Sequence, residues 1–236
     1  MKTTEDRLPE DNGLPSTPST IDGRTLWLEK GEVNGKKIDV ILRSGHHLKT
    51  EGTPDIRRIS AAIIAPDGAR YGPAVQQLNN GVLLRFHNVG TGFFTVMVRH
   101  GPAPDSSRAP GDNICWTTKA IVEAGKKVRY FSKLAGDGLE IVPREPYLET
   151  GKPINLAVFL EGKKAVGALL TAYSEKTDRE DRYVIGRDGR ARVTIDAGGR
   201  WLFTATYIEP MPGVADVPKR KHHETTLLMN TITWYQ

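Results

Sequence analysis

A single cysteine, Cys115, is the whole thiol complement of the 236-residue chain. An internal disulfide is therefore excluded, and cysteine usage says nothing about redox compartment. Cys115 sits in Asn113-Ile114-Cys115-Trp116, a segment of strand character where a buried and inert thiol is expected. Long apolar runs are missing as well. The longest lies near Ile59 to Ala65, far short of the ~20 residues that a membrane-crossing helix needs. Aromatic residues make up only 7% of the chain, and Lys and Arg alternate with Asp and Glu, so the net charge of +5 sets up no single-sign field. With no recognisable reading module either, no nucleic-acid partner is expected.

Catalytic signatures are equally scarce. No Gly-x-Ser-x-Gly elbow occurs, and no Gly-Lys-Ser/Thr phosphate loop. Gly90-Thr91-Gly92 lacks the third glycine and the following helix of a dinucleotide site. No pair of carboxylates is singled out for acid–base work. The chain reads as non-catalytic.

Turn chemistry and short strands are what the sequence has in quantity. Its 24 Gly and 15 Pro punctuate segments rich in Val, Ile and Thr. Strands are expected at Thr25 to Leu28, Lys37 to Leu42, Ile56 to Ile64, near Tyr71, Val82 to Phe86, Phe93 to Arg99 and Ile114 to Val122. Pro66-Asp67-Gly68 and Asn79-Asn80-Gly81 supply the positive φ angles of tight antiparallel turns. Gly101 to Asp112 reads as an exposed loop. A second series follows at Leu139 to Pro143, Ile154 to Leu160, Gly167 to Tyr173, Tyr183 to Ile185, Ala191 to Ile195, Trp201 to Tyr207 and Thr225 to Trp234. The fold class expected is all-β, with two β-sandwich domains, the C-terminal one transthyretin- or immunoglobulin-like. A disordered tail rich in Pro, Ser, Thr and acidic residues covers 1–23, without the apolar middle of a secretory signal. The first sandwich is assigned to 24–135 and the second to 136–236, with the junction between Gly125 and Gly138.

The order Leu26-Trp27-Leu28-Glu29, Val40 to His46, Leu139 to Pro143, Gly151-Lys152-Pro153-Ile154, Glu161 to Ala168, Asp188-Gly189-Arg190-Ala191, Gly199-Arg200-Trp201-Leu202 and Thr225-Thr226-Leu227 resembles a domain-of-unknown-function family of exported proteins associated with nickel and cobalt uptake. The resemblance covers nearly everything after about Thr25. It implies a periplasmic or cell-surface protein of two β-sandwich modules, with membrane components of a metal-uptake transporter as partners. Members often carry a His shortly before the Trp-Leu-Glu motif, and this chain has Arg24 at the matching position.

Four of the six histidines come as adjacent pairs, His46-His47 and His222-His223. Imidazole is the usual ligand for divalent nickel, cobalt, copper and zinc. On a strand only one member of each pair could enter a common site, but Gly45 and Pro218-Lys219-Arg220-Lys221 suggest loops for both. His46 and His223 could then share a nickel or cobalt ion with Glu224; the bland reading is four solvated loop imidazoles beside repelling cations. His87 and His100 read as structural, and Asp178-Arg179-Glu180-Asp181-Arg182 as a charged hairpin tip. Two functions are therefore weighed: an extracytoplasmic metal-handling or transport-accessory protein, and a structural or adhesion-type module that binds carbohydrate or protein without metal.

Overall fold

The computed structural model describes residues 25–104, 113–125, 134–210 and 220–231. The expected tail, most of the expected 101–112 loop, part of the expected junction, Pro218-Lys219 and the end of the last expected strand lie outside them. What is described is all-β apart from one 3-10 turn, Ile56–Arg58, capped by the Asp55 side chain. The expected strand from Ile56 therefore begins only at Ile59, because the Asp55 carboxylate accepts from the Arg57 N–H and closes a turn first.

The first seven strands are β1 (Thr25–Asn34), β2 (Lys37–His46), β3 (Lys49–Thr50), β4 (Ile59–Ile64), β5 (Arg70–Tyr71), β6 (Ala74–Leu78) and β7 (Gly81–His87). Two long strands follow, β8 (Gly92–Pro104) and β9 (Asn113–Ala124). Residues 101–104, expected in a loop, continue β8 past a register shift between His100 and Ala103. The rest are β10 (Leu139–Pro143), β11 (Pro153–Leu160), β12 (Lys163–Lys164), β13 (Leu169–Ser174), β14 (Arg179–Val184), β15 (Arg190–Thr194), β16 (Arg200–Pro210) and β17 (Arg220–Asn230).

These strands form three sheets. One runs β1-β2-β7-β6 with β3 beside β2, and another runs β10-β11-β12 with β15 beside β11. The third has eight strands in the order β14-β13-β16-β17-β9-β8-β4-β5, so it passes without a break from the second half of the chain to the first. The join is a parallel pairing of β17 with β9, His223 lying beside Cys115 and Thr226 beside Thr118.

The two small sheets cover opposite faces of this large one, because successive side chains of a strand point to opposite faces. On β9, Ile114, Trp116, Ala120 and Val122 join a core with Leu26, Leu28, Val40 and Leu84 of the first small sheet. The alternate residues Thr117, Lys119 and Ile121 face the second: Thr117 donates to the Leu139 carbonyl at 2.5 Å, and Ile121 packs against the cluster of Ile141, Leu156, Val193, Trp201 and Phe203. Alternating apolar positions on β2 and β11 produce this directly, with every second residue buried. Members of one core end at Ala124 and those of the other begin at Leu139. The two large apolar cores divide along the chain while the sheet does not, and a small cluster of Trp27, Leu48, Tyr173 and Leu202 joins the two halves.

Covering both faces of β9 and β17 buries polar side chains at the centre, among them Thr117, Thr118, Lys119, Thr225 and Thr226. Lys119 is matched by Glu140, and the Thr226 hydroxyl donates to the Leu26 carbonyl at 2.6 Å and shares a hydrogen bond with Thr118 at 2.7 Å. Among the described residues the Thr225 hydroxyl finds no hydrogen-bond partner, while the other buried polar groups named each have one, as burial requires.

Candidate functional site

The structure places the two histidine pairs at different ends of the large sheet. His46 ends β2 and His47 begins the two-residue turn into β3. His222 and His223 lie inside β17, in a strand rather than the expected loop, and both are buried. The ladder with β16 runs through them to Pro210–Arg220, so the strand starts earlier than the Lys-Arg-Lys cluster suggested. Being consecutive in a strand, they point to opposite faces. His47 stacks on Tyr173, which packs in one cluster with Leu202 and Leu228. Leu228 is five residues along β17 from His223, roughly 16 Å at strand rise. The structure therefore does not bring His46 and His223 together, and Glu224 stays with His223 as a buried neighbour of Trp116 and Thr206 across the sheet.

The environment of His223 is closed. Its Nε2 lies 3.2 Å from Glu209 Oε2, and only 3% of its side chain is exposed. Burial pushes its pKa below the ordinary imidazole value, a shift the Glu209 hydrogen bond opposes and the charge on Lys221 reinforces. A buried imidazole of this kind is held neutral by its surroundings. His100 is likewise buried and its pKa lowered, first by burial and then by Arg58. His87 ends β7, at the turn edge of its sheet.

The first pair is built differently. Both central residues of the turn between β2 and β3 have positive φ, His47 at 48° and Leu48 at 61°. A two-residue hairpin of type I′ demands this geometry, and Asn-Gly is the usual way to meet it. His-Leu meets it at a cost, since left-handed backbone crowds Cβ of an L residue. Leu48 is fixed there by burial in the apolar cluster of Trp27, Tyr173 and Leu202. The packing of Leu48 holds the turn, and the turn presents His47.

A third strained residue meets them. Asp178, in the β13–β14 turn, has φ 50° and accepts a hydrogen bond from the Tyr173 hydroxyl at 2.9 Å. Burial, and then that bond, pushes the Tyr173 phenol up to about 12. Asp178 Oδ1 also stands 3.9 Å from His47 Nδ1, while His47 lies flat on the Tyr173 ring with centroids 4.4 Å apart. On the other side of the turn, His46 Nε2 stands 3.9 Å from Glu51 Oε2. Two imidazole–carboxylate couples thus flank one turn, all four side chains at least 49% exposed. Neither Tyr173 nor Asp178 was singled out by sequence reasoning for this site. Asp178 appeared only as part of a charged hairpin tip, and the 130 residues between His47 and Asp178 leave no local signal of their approach.

Among the described residues no group of three or more His, Cys, Asp and Glu converges tightly enough to hold a metal ion. Among the described residues the turn offers pairs of donors only. Among the described residues no helix is long and apolar enough to cross a membrane.

Residues 23–209 match a protein family described as a domain of unknown function, DUF4198. The chain belongs to that family. His46, His47, Glu51, Tyr173 and Asp178 lie inside the DUF4198 match, whereas His222, His223 and Glu224 lie beyond it. No curated protein matches the sequence.

Proposed function

We propose that this protein is a non-catalytic, extracytoplasmic metal-handling accessory, with nickel or cobalt as its cargo and the His46–His47 turn as the loading point. The observation that carries the reading is the convergence of His47, Leu48 and Asp178, three non-glycine residues in left-handed backbone, on one exposed imidazole–carboxylate arrangement. Strain of this sort persists only where the surroundings enforce it, and it concentrates at functional positions.

The donor set supports cargo rather than a resident cofactor. Borderline divalent ions accept imidazole nitrogen and carboxylate oxygen. Two protein donors at an open surface give weak and exchangeable binding, which suits hand-over to the membrane component of an uptake system. A metal-independent adhesion module, binding carbohydrate or protein, is the competing reading and makes the opposite forecast.

The two separate in calorimetric titrations of chelator-treated, tag-free protein with nickel, cobalt, copper and zinc. Metal handling at the turn predicts binding of nickel or cobalt that a His46→Ala/His47→Ala variant loses and a His222→Gln/His223→Gln variant keeps. No heat above a buffer blank for any of the four ions sinks the metal reading and leaves the adhesion module.

A further inference from the structure

A second feature lies near the opposite end of the large sheet, at the register shift in β8. There a shallow cavity of about 400 Å³ is lined by Arg57, Arg58, Ser60, Arg99, His100 and Cys115, among others, and by no carboxylate among the described residues. We propose that it is a binding site for a small anionic ligand bearing carboxylate or phosphate oxygens.

Charge is the first argument. Three guanidinium groups border one concavity of a size that suits a small molecule. Arg57 is matched by Asp55, which accepts from its Nε and Nη2 at 3.0 Å each. Arg99 is exposed and makes no ion pair with a described carboxylate. A planar guanidinium that no described carboxylate engages is the side chain best suited to carboxylate or phosphate, which it binds through two parallel hydrogen bonds.

Buried polarity is the second, independent argument. His100 lines the cavity, is only 4% exposed, and its Nδ1 makes no hydrogen bond of good geometry, the Gly101 backbone giving the ring only a weak interaction. Its ring stands edge-on to Trp116 with centroids 5.6 Å apart, which fixes the imidazole. A buried nitrogen left without a partner costs free energy unless something supplies one. A ligand oxygen in the cavity would do so.

Backbone geometry is the third. The register shift between His100 and Ala103 interrupts the β8–β9 ladder at the cavity wall, with Gly101 inside it. Bulges of this kind re-aim side chains and are over-represented beside binding sites.

The test is calorimetric titration of the full chain, at constant ionic strength, with citrate, inorganic phosphate and glucose. Saturable binding of citrate or phosphate, with none of glucose, is expected, and the stronger of the two anions tells a carboxylate ligand from a phosphoryl one. Arg99→Gln should weaken that binding about tenfold or more, the scale of a lost charge-assisted hydrogen bond. Arg187→Gln removes the same charge from an exposed site elsewhere and should leave it unchanged. Neither anion binding saturably, or both substitutions weakening binding equally, overturns the proposal.

Discussion

Lys119 Nζ lies 2.6 Å from Glu140 Oε1, and solvent reaches 0% of the one side chain and 1% of the other. The pair ties β9, in the first half of the chain, to β10, in the second. The Glu140 carboxylate also accepts from the backbone N–H of Ala135, at 2.9 Å from its nearer oxygen, and of Gly136, at 3.2 Å. One carboxylate therefore anchors the chain between the two cores. Burial drives the Lys119 pKa down, and the charge and hydrogen bond of Glu140 oppose it.

Removing one partner should cost far more than removing both. Glu140→Ala strands a buried ammonium and is expected to destabilise by about 3–5 kcal/mol in urea denaturation, whereas Lys119→Met with Glu140→Leu should fall much closer to wild type. Equal losses in the single and double variants would mean that the pair does not act as a unit.

The Thr226 hydroxyl joins the first small sheet to the large one through the Leu26 carbonyl. Thr226→Val keeps the shape and deletes the donor, so it should cost about 1–3 kcal/mol, the penalty of leaving a buried carbonyl unsatisfied. A midpoint shift near zero in denaturant titration would show that the carbonyl finds another donor.

Stability should fall on mild acidification. Burial depresses the pKa of both His100 and His223 below the ordinary 6.5. The unfolded chain then binds more protons than the native one just below that value, so stability is full above about pH 6.5 and declines as pH drops toward the folded-state values. Thermal unfolding measured from pH 7.5 to 5 should show this slope, and His223→Gln should flatten it. A Tm independent of pH over that range contradicts the assignment of neutral buried imidazoles.

At the strained turn, stability and binding should part company. His47→Asn places a residue that tolerates left-handed backbone where His now sits, so unfolding should be unchanged or up to about 1 kcal/mol harder despite the lost stacking on Tyr173. Metal binding should weaken at the same time. A variant that is clearly less stable would show that the His47–Tyr173 contact, rather than Leu48, holds the turn.

Much of the fold was legible because antiparallel hairpins announce themselves locally. Asn79-Asn80 and Pro66-Asp67-Gly68 stand between paired strands as expected, and Gly68 takes the positive φ (94°) foreseen for it, whereas none of Asn79, Asn80 and Gly81 does. The continuous sheet was not, since β17 and β9 pair in parallel across more than a hundred residues and leave no turn signal. The candidate site was half legible. The His46-His47 pair stood out, but its turn uses His-Leu where Asn-Gly would have been expected, and only the tertiary packing of Leu48 makes that tolerable. His222-His223 was misplaced because a Pro and three basic residues imitate a loop, while Arg220 and Lys221 in fact extend β17 along β16.

The most direct test of the metal reading is the amide spectrum of the isotope-labelled chain during titration with paramagnetic cobalt. Broadening centred on His46 to Leu48, Glu51 and Asp178, with His222 and His223 untouched, is the predicted result. Broadening centred on β17, or none beyond that of a non-binding control, would contradict it.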